Sequence, residues 1–475
     1  MSTDERNGGC EGERAGERAG EHAGEHAGER DADRGEKRAL DPGPDRGPAR
    51  GREPDSERRA RFDEIARSHT GRLVAGLARR LGARHLELAE DAVHEALLLA
   101  WERWAVDGEP PVPAAWLARA ARQRALDALR RERLEGADEI ERLARHTAAM
   151  EHGSGDDVQV EREELGLFFA LAHPSLVPEA RVALALASLC GLTTPEIARG
   201  LLATEDAVAQ RLVRARRRIL EEGIALEMPG EREIERRLPS VLDTLELLFL
   251  EGYAAHAGEH LMRPDVQRDA LRLGEALVRD EITDTPESRA LLARMSFQSA
   301  RTRARVDEHG DLVTLARQDR TLWDQARIAR GFQHFALSLT REVTARHAEA
   351  AIEAVHVAAP TFAETDWPAI VEAYDDLLAL RPSALARLNR AVATAHVSGH
   401  ATALAEVDAA AGAPELARHP MLHAVRAQLL WALERRAEAA VALRAALDLP
   451  LSDPERRLLA RRLVACENGA TPDEF

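Results

Sequence analysis

Five arginines, Arg211, Arg214, Arg216, Arg217 and Arg218, crowd one short stretch of a chain whose formal net charge is −17. They close the run TTPEIARGLLATEDAVAQRLVRARRRIL, which opens like a helix, breaks at LLATEDA and restarts. Guanidinium groups spaced this way can hold phosphates, or grip a guanine edge with two hydrogen bonds. No acid falls in the last three turns before Leu220, so pairing within the helix is not expected to neutralise them. A second basic set, Arg119, Arg122, Arg124, Arg130, Arg131 and Arg133, follows Trp116, with Trp101 and Trp104 just upstream. Aromatic rings beside arginine can stack unpaired bases, each worth roughly 1–3 kcal/mol. The plainer reading of the three tryptophans is core packing.

Other reactive-looking groups point to less. His256, Glu259 and His260 in HAGEH could chelate zinc on a helix, but Gly258 favours a loop and the His-Glu-x-x-His order is missing. Asp319, Arg320, Trp323 and Asp324 read as an ion-paired cluster within packed helices, or as the wall of a groove. Cys10, Cys190 and Cys466 are scattered, without a Cys-x-x-Cys pair, so neither a zinc ribbon nor a disulfide framework is expected. There is no glycine-rich phosphate loop and no nucleophile elbow. No metal, no cofactor and no covalent chemistry are therefore expected.

The elements that must position these residues are helical. The chain has 475 residues, few aromatics and long runs at helical spacing, so an all-α fold is expected. Residues 1–58 repeat GERAGERAGEHAGEHAGER and then turn proline-rich. They cannot bury enough apolar surface to offset ordering and should be a disordered tail. Residues 59–134 hold three helices, with Phe62, Ile65, Leu73, Leu77 and Leu81 lining the first. In the second, Leu88, Ala92, Ala96 and Leu99 turn inward, while Glu87, Glu90, Asp91 and Glu95 stay wet. Residues 135–162 are acidic and aperiodic, a flexible linker. Residues 163–226 form a second compact unit. Residues 227–475 are helix after helix, with one plausible hairpin at Asp307–Ala316. Two stretches there, from Arg390 and from Arg426, align 36 residues apart, near the 34-residue tetratricopeptide period. No apolar leader and no membrane-length run is present, which fits the cytoplasm.

Thr193 or Thr194 caps one helix with Pro195 in its first turn, and Thr204 caps the next, with Glu205 and Asp206 where the dipole favours acids. This is a helix-turn-helix. In its second helix Val208, Leu212, Ala215 and Ile219 form the buried stripe, and Arg211, Arg214, Arg217 and Arg218 take the opposite arc. Such a helix fits the major groove of DNA.

At this point the sequence resembles the extracytoplasmic-function sigma factors of bacterial RNA polymerase. AEDAVHEALLLAWERW with PAAWLARAARQRALDALRR is similar to their region two, and HPSLVPEARVALALASLCGLTTPEIARGLLATEDAVAQRLVRARRRI to their region four. The second half resembles the subgroup with a tetratricopeptide-like C-terminal extension, through ILEEGIALEMP, LFLEGYAAHAG, RQDRTLWD, AIEAVHVAAPTFAETDW and LNRAVA. It departs at Leu250, where the subgroup tends to have Asn, and at Arg317, where it tends to have an acid.

The resemblance implies an alternative sigma factor whose partners are core RNA polymerase and promoter DNA, working in the cytoplasm at the nucleoid. It implies that Glu90, Asp91, Glu95, Leu98 and Trp101 dock polymerase. Trp116, Arg119, Arg122, Arg124, Arg130 and Arg131 would read the −10 element, and Thr204, Gln210, Arg211, Arg214, Arg217 and Arg218 the −35 element. The acidic linker would run toward the RNA exit path. Glu251, Tyr253, Asp319, Arg320, Trp323, Asp366 and Trp367 would line a groove in the extension, open to a protein or small-molecule regulator. The alternative is a one-component helix-turn-helix regulator with a helical sensor domain.

Overall fold

The computed structural model describes residues 55–131, 157–201, 203–253, 264–417 and 419–468. The repeat tail to residue 54, most of the expected linker and the HAGEH histidines lie outside these residues. Helix α1 runs Asp55–Leu81, so it starts before Arg59; α2 is Leu86–Asp107 and α3 is Pro113–Arg131. Gly82 and Gly108, both at positive φ, stop α1 and α2, where glycine carries no Cβ penalty. Then follow α4 (Asp157–Leu171), α5 (Pro178–Ser188), α6 (Thr194–Gly200) and α7 (Glu205–Glu221). The last six residues of the expected linker are thus helical, because Val160 begins the apolar face that α4 continues.

The remainder is α8 (Glu231–Tyr253), α9 (Pro264–Arg279), α10 (Pro286–Ala300), α11 (Gln325–Ser338), α12 (Ala345–Ala358), α13 (Trp367–Leu380), α14 (Ala384–Ser398), α15 (His400–Ala410), α16 (Pro420–Ala432), α17 (Arg436–Leu447) and α18 (Asp453–Asn468). The described residues are all-α. The expected hairpin is reduced to one antiparallel bridge, Val306 with Leu312. Asp311, at its turn, takes Arg457 and Arg461 of α18, and Leu315–Arg317 coils into a short 3₁₀ turn. The 36-residue repeat corresponds to two helical hairpins, α14–α15 and α16–α17. Arg390 and Arg426 take matching roles in them, pairing with Asp375 at 2.7 Å and Asp408 at 2.8 Å.

The packing shows no break at residue 226. One continuous core runs from Val74 through Leu86, Leu129, Phe168, Leu184, Leu212 and Ile219 to Val241, Leu245, Phe249, Leu277 and Met295. It joins α1–α3, the helix-turn-helix unit and α8–α10. Ser240 of α8 donates to the Ala172 carbonyl at 2.6 Å, fixing the register. Further cores along α10–α18 are separate. Cys190 and Cys466 are buried, and burial pushes the Cys190 thiol well up, which agrees with a packing role.

This continuity predicts unequal truncations. A chain ending at Gly230 uncovers the face that α8 fills with Leu238, Val241, Leu242, Leu245 and Phe249. At about 25 cal/mol per Å² of exposed apolar surface it should lose its cooperative calorimetric transition. A chain ending at Ser398 should keep that transition.

Candidate functional site

The helix-turn-helix is built by local chemistry. Thr193 N–H and Oγ1–H both donate to Glu196, at 2.8 and 2.7 Å, closing the start of α6. Thr204 Oγ1 accepts from Ala207 N–H at 3.2 Å at the start of α7. Val208, Leu212, Ala215 and Ile219 are all buried, so the stripe fixes the roll of α7. Gln210, Arg214, Arg217 and Arg218 are then exposed, with Arg211 half-buried. The expectation that no acid neutralises this face is corrected: Arg217 pairs with Glu221 at 2.7 Å and Arg218 with Glu222 at 2.6 Å. The two acids sit four residues on, just past the stretch read as the helix end, and hold the guanidiniums along the axis. Surface pairs of this kind are weak and leave the cations available.

Arg216 behaves differently. It faces α2, where it pairs with Glu90 and lies 3.4 Å from Glu87. Ser188 of α5 also donates to Glu90. Glu90 is therefore not a wet residue, as its helical spacing suggested. Burial pushes its carboxyl above the ordinary range, against the pull of Arg216 and Ser188. Asp91, Glu95 and Leu98 remain exposed, and Trp101 is half-buried under the Arg58 guanidinium. Between these walls lies a cavity of about 350 Å³, edged by Glu87, Asp91, His94, Thr194, Leu212 and Arg216.

On α3, Arg119, Arg130 and Arg131 are exposed. Arg124 is half-buried, 3.7 Å from Glu95. Arg122 is only 9% exposed and turned into the packing. The tryptophans are neither free nor fully core. Phe62 meets Trp101 and Trp104 edge-on at 5.2 and 5.7 Å, and Trp104 meets Trp116 at 5.5 Å, a half-buried aromatic row.

Sequence reading missed the seam between the two units. Helix α4 offers Glu161, Glu163 and Glu164 to arginines from two sides. From α1, Arg72 lies 3.7 Å from both Glu161 and Glu164, and Arg79 lies 2.7 Å from Glu163. From α9, Arg279 reaches Glu161 at 2.6 Å and Arg272 binds Glu164. Backbones come very close here. A Cβ on Gly71 would lie 2.6 Å from Glu164 Oε1 and 2.7 Å from the Leu189 carbonyl oxygen, and one on Gly191 would lie 2.7 Å from Thr70. The signal in the sequence was the acidic run EREE, with Gly71 and Gly191 far from it along the chain.

The proposed groove residues of the extension do structural work. Asp319 caps a 3₁₀ turn through Thr321, and Asp366 caps α13 through Ala369 at 3.0 Å. Arg320 stacks over Trp323 and donates to the His356 and Ala359 carbonyls at the end of α12, where a cation complements the helix dipole. Trp367 packs flat on His396 at 3.9 Å. Glu251 lies half-buried on α8; the Tyr253 side chain is outside the described residues.

Comparison with known families agrees with this architecture. Sigma-70 region 2 matches residues 67–135, and Sigma-70, region 4 matches residues 169–219. A family of unknown function (DUF6596) matches residues 237–339. An uncharacterized protein of Rhizobium meliloti (strain 1021) is 33% identical over 413 residues, covering 85% of this chain and 97% of that protein. No solved structure matches the chain.

The seam carries a titration signature. Asp269 of α9 lies 3.4 Å from Arg272, yet burial pushes its carboxyl up to about 6. The folded state thus holds this proton more tightly than the unfolded chain does. The contribution is full below pH about 4 and is lost as pH rises through about 6. Asp269→Asn should gain on the parent by roughly 2–3 kcal/mol as pH rises from 4 to 7, read from paired denaturant titrations.

Proposed function

The chain belongs to the extracytoplasmic-function sigma factors of bacterial RNA polymerase that carry a helical C-terminal extension, and on that premise we propose how its surfaces divide the work. It is an alternative sigma factor: it binds core RNA polymerase and promoter DNA and directs initiation of transcription. In our reading the Arg214, Arg217 and Arg218 face of α7, with Gln210 and the Thr204 cap, reads the −35 element in duplex form. Arg211 joins at the edge of that face. The observation that carries this is the fixed roll of α7: four buried side chains leave the cationic arc nowhere to face but outward.

The half-buried tryptophan row with Arg119, Arg124, Arg130 and Arg131 serves the −10 element. Trp116 offers a ring for an unpaired base, and the arginines hold the flanking phosphates. The burial of Arg122 favours a framework role for it. Asp91, Glu95 and Leu98, with Trp101, form the acidic and apolar edge that suits polymerase. Glu90 would join them only when Arg216 lets it go. The extension governs activity within the same chain, supported by its shared core with both sigma regions. No helix among the described residues is long and apolar enough to cross a membrane, and the reading places the protein with polymerase at the nucleoid.

In vitro transcription with core polymerase over a genomic fragment library tests the reading. Replacing Arg214 and Arg218 together by Glu should lower promoter-specific transcripts by about tenfold or more, with core association unchanged. Equal output would remove α7 from promoter recognition. Tight duplex binding by the free chain, without polymerase, would favour a one-component regulator instead.

A further inference from the structure

We infer that the extension binds a small organic anion, a carboxylate or phosphate head on a flat apolar body, where the turn carrying Arg320 and Trp323 meets the ends of α10 and α12. The inference stands apart from the polymerase and promoter assignments.

Unsatisfied hydrogen-bonding groups carry it. Among the described residues from α10 to α18, every buried side-chain atom without a hydrogen-bond partner lies between residues 298 and 365. A native fold leaves few such atoms, and each needs an explanation in a ligand, an ion or water. Arg320 Nη2 and Trp323 Nε1 are among them, and both can only donate. They flank one 3₁₀ turn, with the guanidinium over the indole, 4.4 Å from the ring centroid. The turn is tied to α10 by Asp324 N–H, which donates to the Ala300 carbonyl at 3.0 Å. Trp323 is 4% exposed, in a core with Ala354 and Val357 of α12. Both bonds from Arg320 to the end of α12 use Nη1, so Nη2 is left over. Thr365 Oγ1, on a side chain 6% exposed, and His356 Nδ1 are also without a partner and able to donate.

Charge asks for the same occupant. The side-chain contacts of Arg320 are the indole and the two carbonyls, and among the described residues no carboxylate pairs with it. Glu353, one turn before His356, is already held by Gln298 at 2.7 Å and Arg301 at 3.0 Å. Burial, and then the charge of Arg301, pulls the Arg320 guanidinium below its ordinary range. Burial also pushes His356 down to about 4, so near neutral pH its ring is uncharged and one nitrogen donates. An oxyanion answers the lone cation and the orphaned donors together, through charge-assisted bonds.

The rings beside His356 suit an apolar body. Trp367 meets His356 edge-on at 5.6 Å and stacks on His396 at 3.9 Å. Phe362 meets Trp367 and His396 edge-on at 5.2 and 5.5 Å. His396 is exposed while Phe362 and Trp367 are half-buried, so this side of the junction presents aromatic surface to solvent. An exposed side chain such as His396 can leave its neighbour by a rotamer change alone. Aromatic walls with a few placed donors are the usual make-up of a small-molecule site.

Calorimetric titration of the full chain tests this, with benzoate, phenyl phosphate, acetate and inorganic phosphate as probes and benzamide as the neutral control. An aryl anion should bind saturably, about tenfold or more tighter than the matching small anion, because the ring adds buried apolar area. Whether benzoate or phenyl phosphate binds tighter identifies the head group. Trp323→Phe keeps a ring and removes the N–H, and should weaken binding about tenfold. Arg320→Lys keeps the charge and loses the planar fork, with a loss of similar size. His396→Ala should weaken benzoate and leave acetate unchanged. Thermal melts check each fold; should Trp323→Phe or Arg320→Lys melt early, Thr365→Val and His396→Ala decide. The inference is overturned if neither aryl anion binds saturably up to about 10 mM, in which case water serves the orphaned atoms. It is equally overturned if benzamide matches benzoate, or if every folded variant binds as the parent does.

Discussion

Glu164 sits almost wholly out of solvent between Arg72 of α1 and Arg272 of α9. A carboxylate buried to that degree is tolerated only while cations and donors surround it, and removing one partner of such a cluster costs about 3–5 kcal/mol. The rest of the molecule is arranged around this condition. It brings α1, α4 and α9 to one line, and it favours glycine at position 71, where Glu164 and the backbone at Leu189, just past α5, leave no room for a side chain. It also makes the first helices of the extension part of the sigma core. The continuous apolar cluster from Val74 to Met295 is the hydrophobic counterpart of that line of charges.

Two kinds of arginine follow from this arrangement. Arg72, Arg79, Arg216 and Arg272 face carboxylates across helix interfaces. Arg214, Arg217 and Arg218 face solvent; Arg214 donates to Gln210 at 3.4 Å, and the other two hold weak pairs four residues on. The difference is one of roll. On α7, Arg216 follows the buried Ala215 and turns toward α2, while Arg214, Arg217 and Arg218 follow the opposite arc. A net charge of −17 is compatible with a cationic reader because binding follows the local patch and not the total.

The extension shows how function can be absorbed into structure. Asp319, Arg320 and Asp366 carried the look of a ligand groove in sequence, yet each satisfies backbone groups at a helix end. An acid just before a helix is the residue that end-capping favours, whereas Arg320 reaches the end of α12 from 36 residues upstream. Sequence spacing does not distinguish the Asp319 and Asp366 caps from ligand contacts, because both place the same polar atom at the start of a helix, and it gives no sign of the long-range contact of Arg320.

Sequence alone determined the local order of this protein. Period-3.6 apolar spacing, threonine caps and proline in first turns fixed the helices, including the buried stripe Val208, Leu212, Ala215 and Ile219. The 36-residue offset reached the paired hairpins near the C-terminus. These are short-range facts, set by neighbours three or four residues away. Tertiary structure alone decided what faces what: that Arg216 and Glu90, 126 residues apart, meet; that Arg122 turns inward; that α4 is a seam rather than the end of a linker; and that the sigma regions and the extension share a core. The physical reason is that burial and ion pairing depend on which helices touch, and helix periodicity specifies a face without naming its partner.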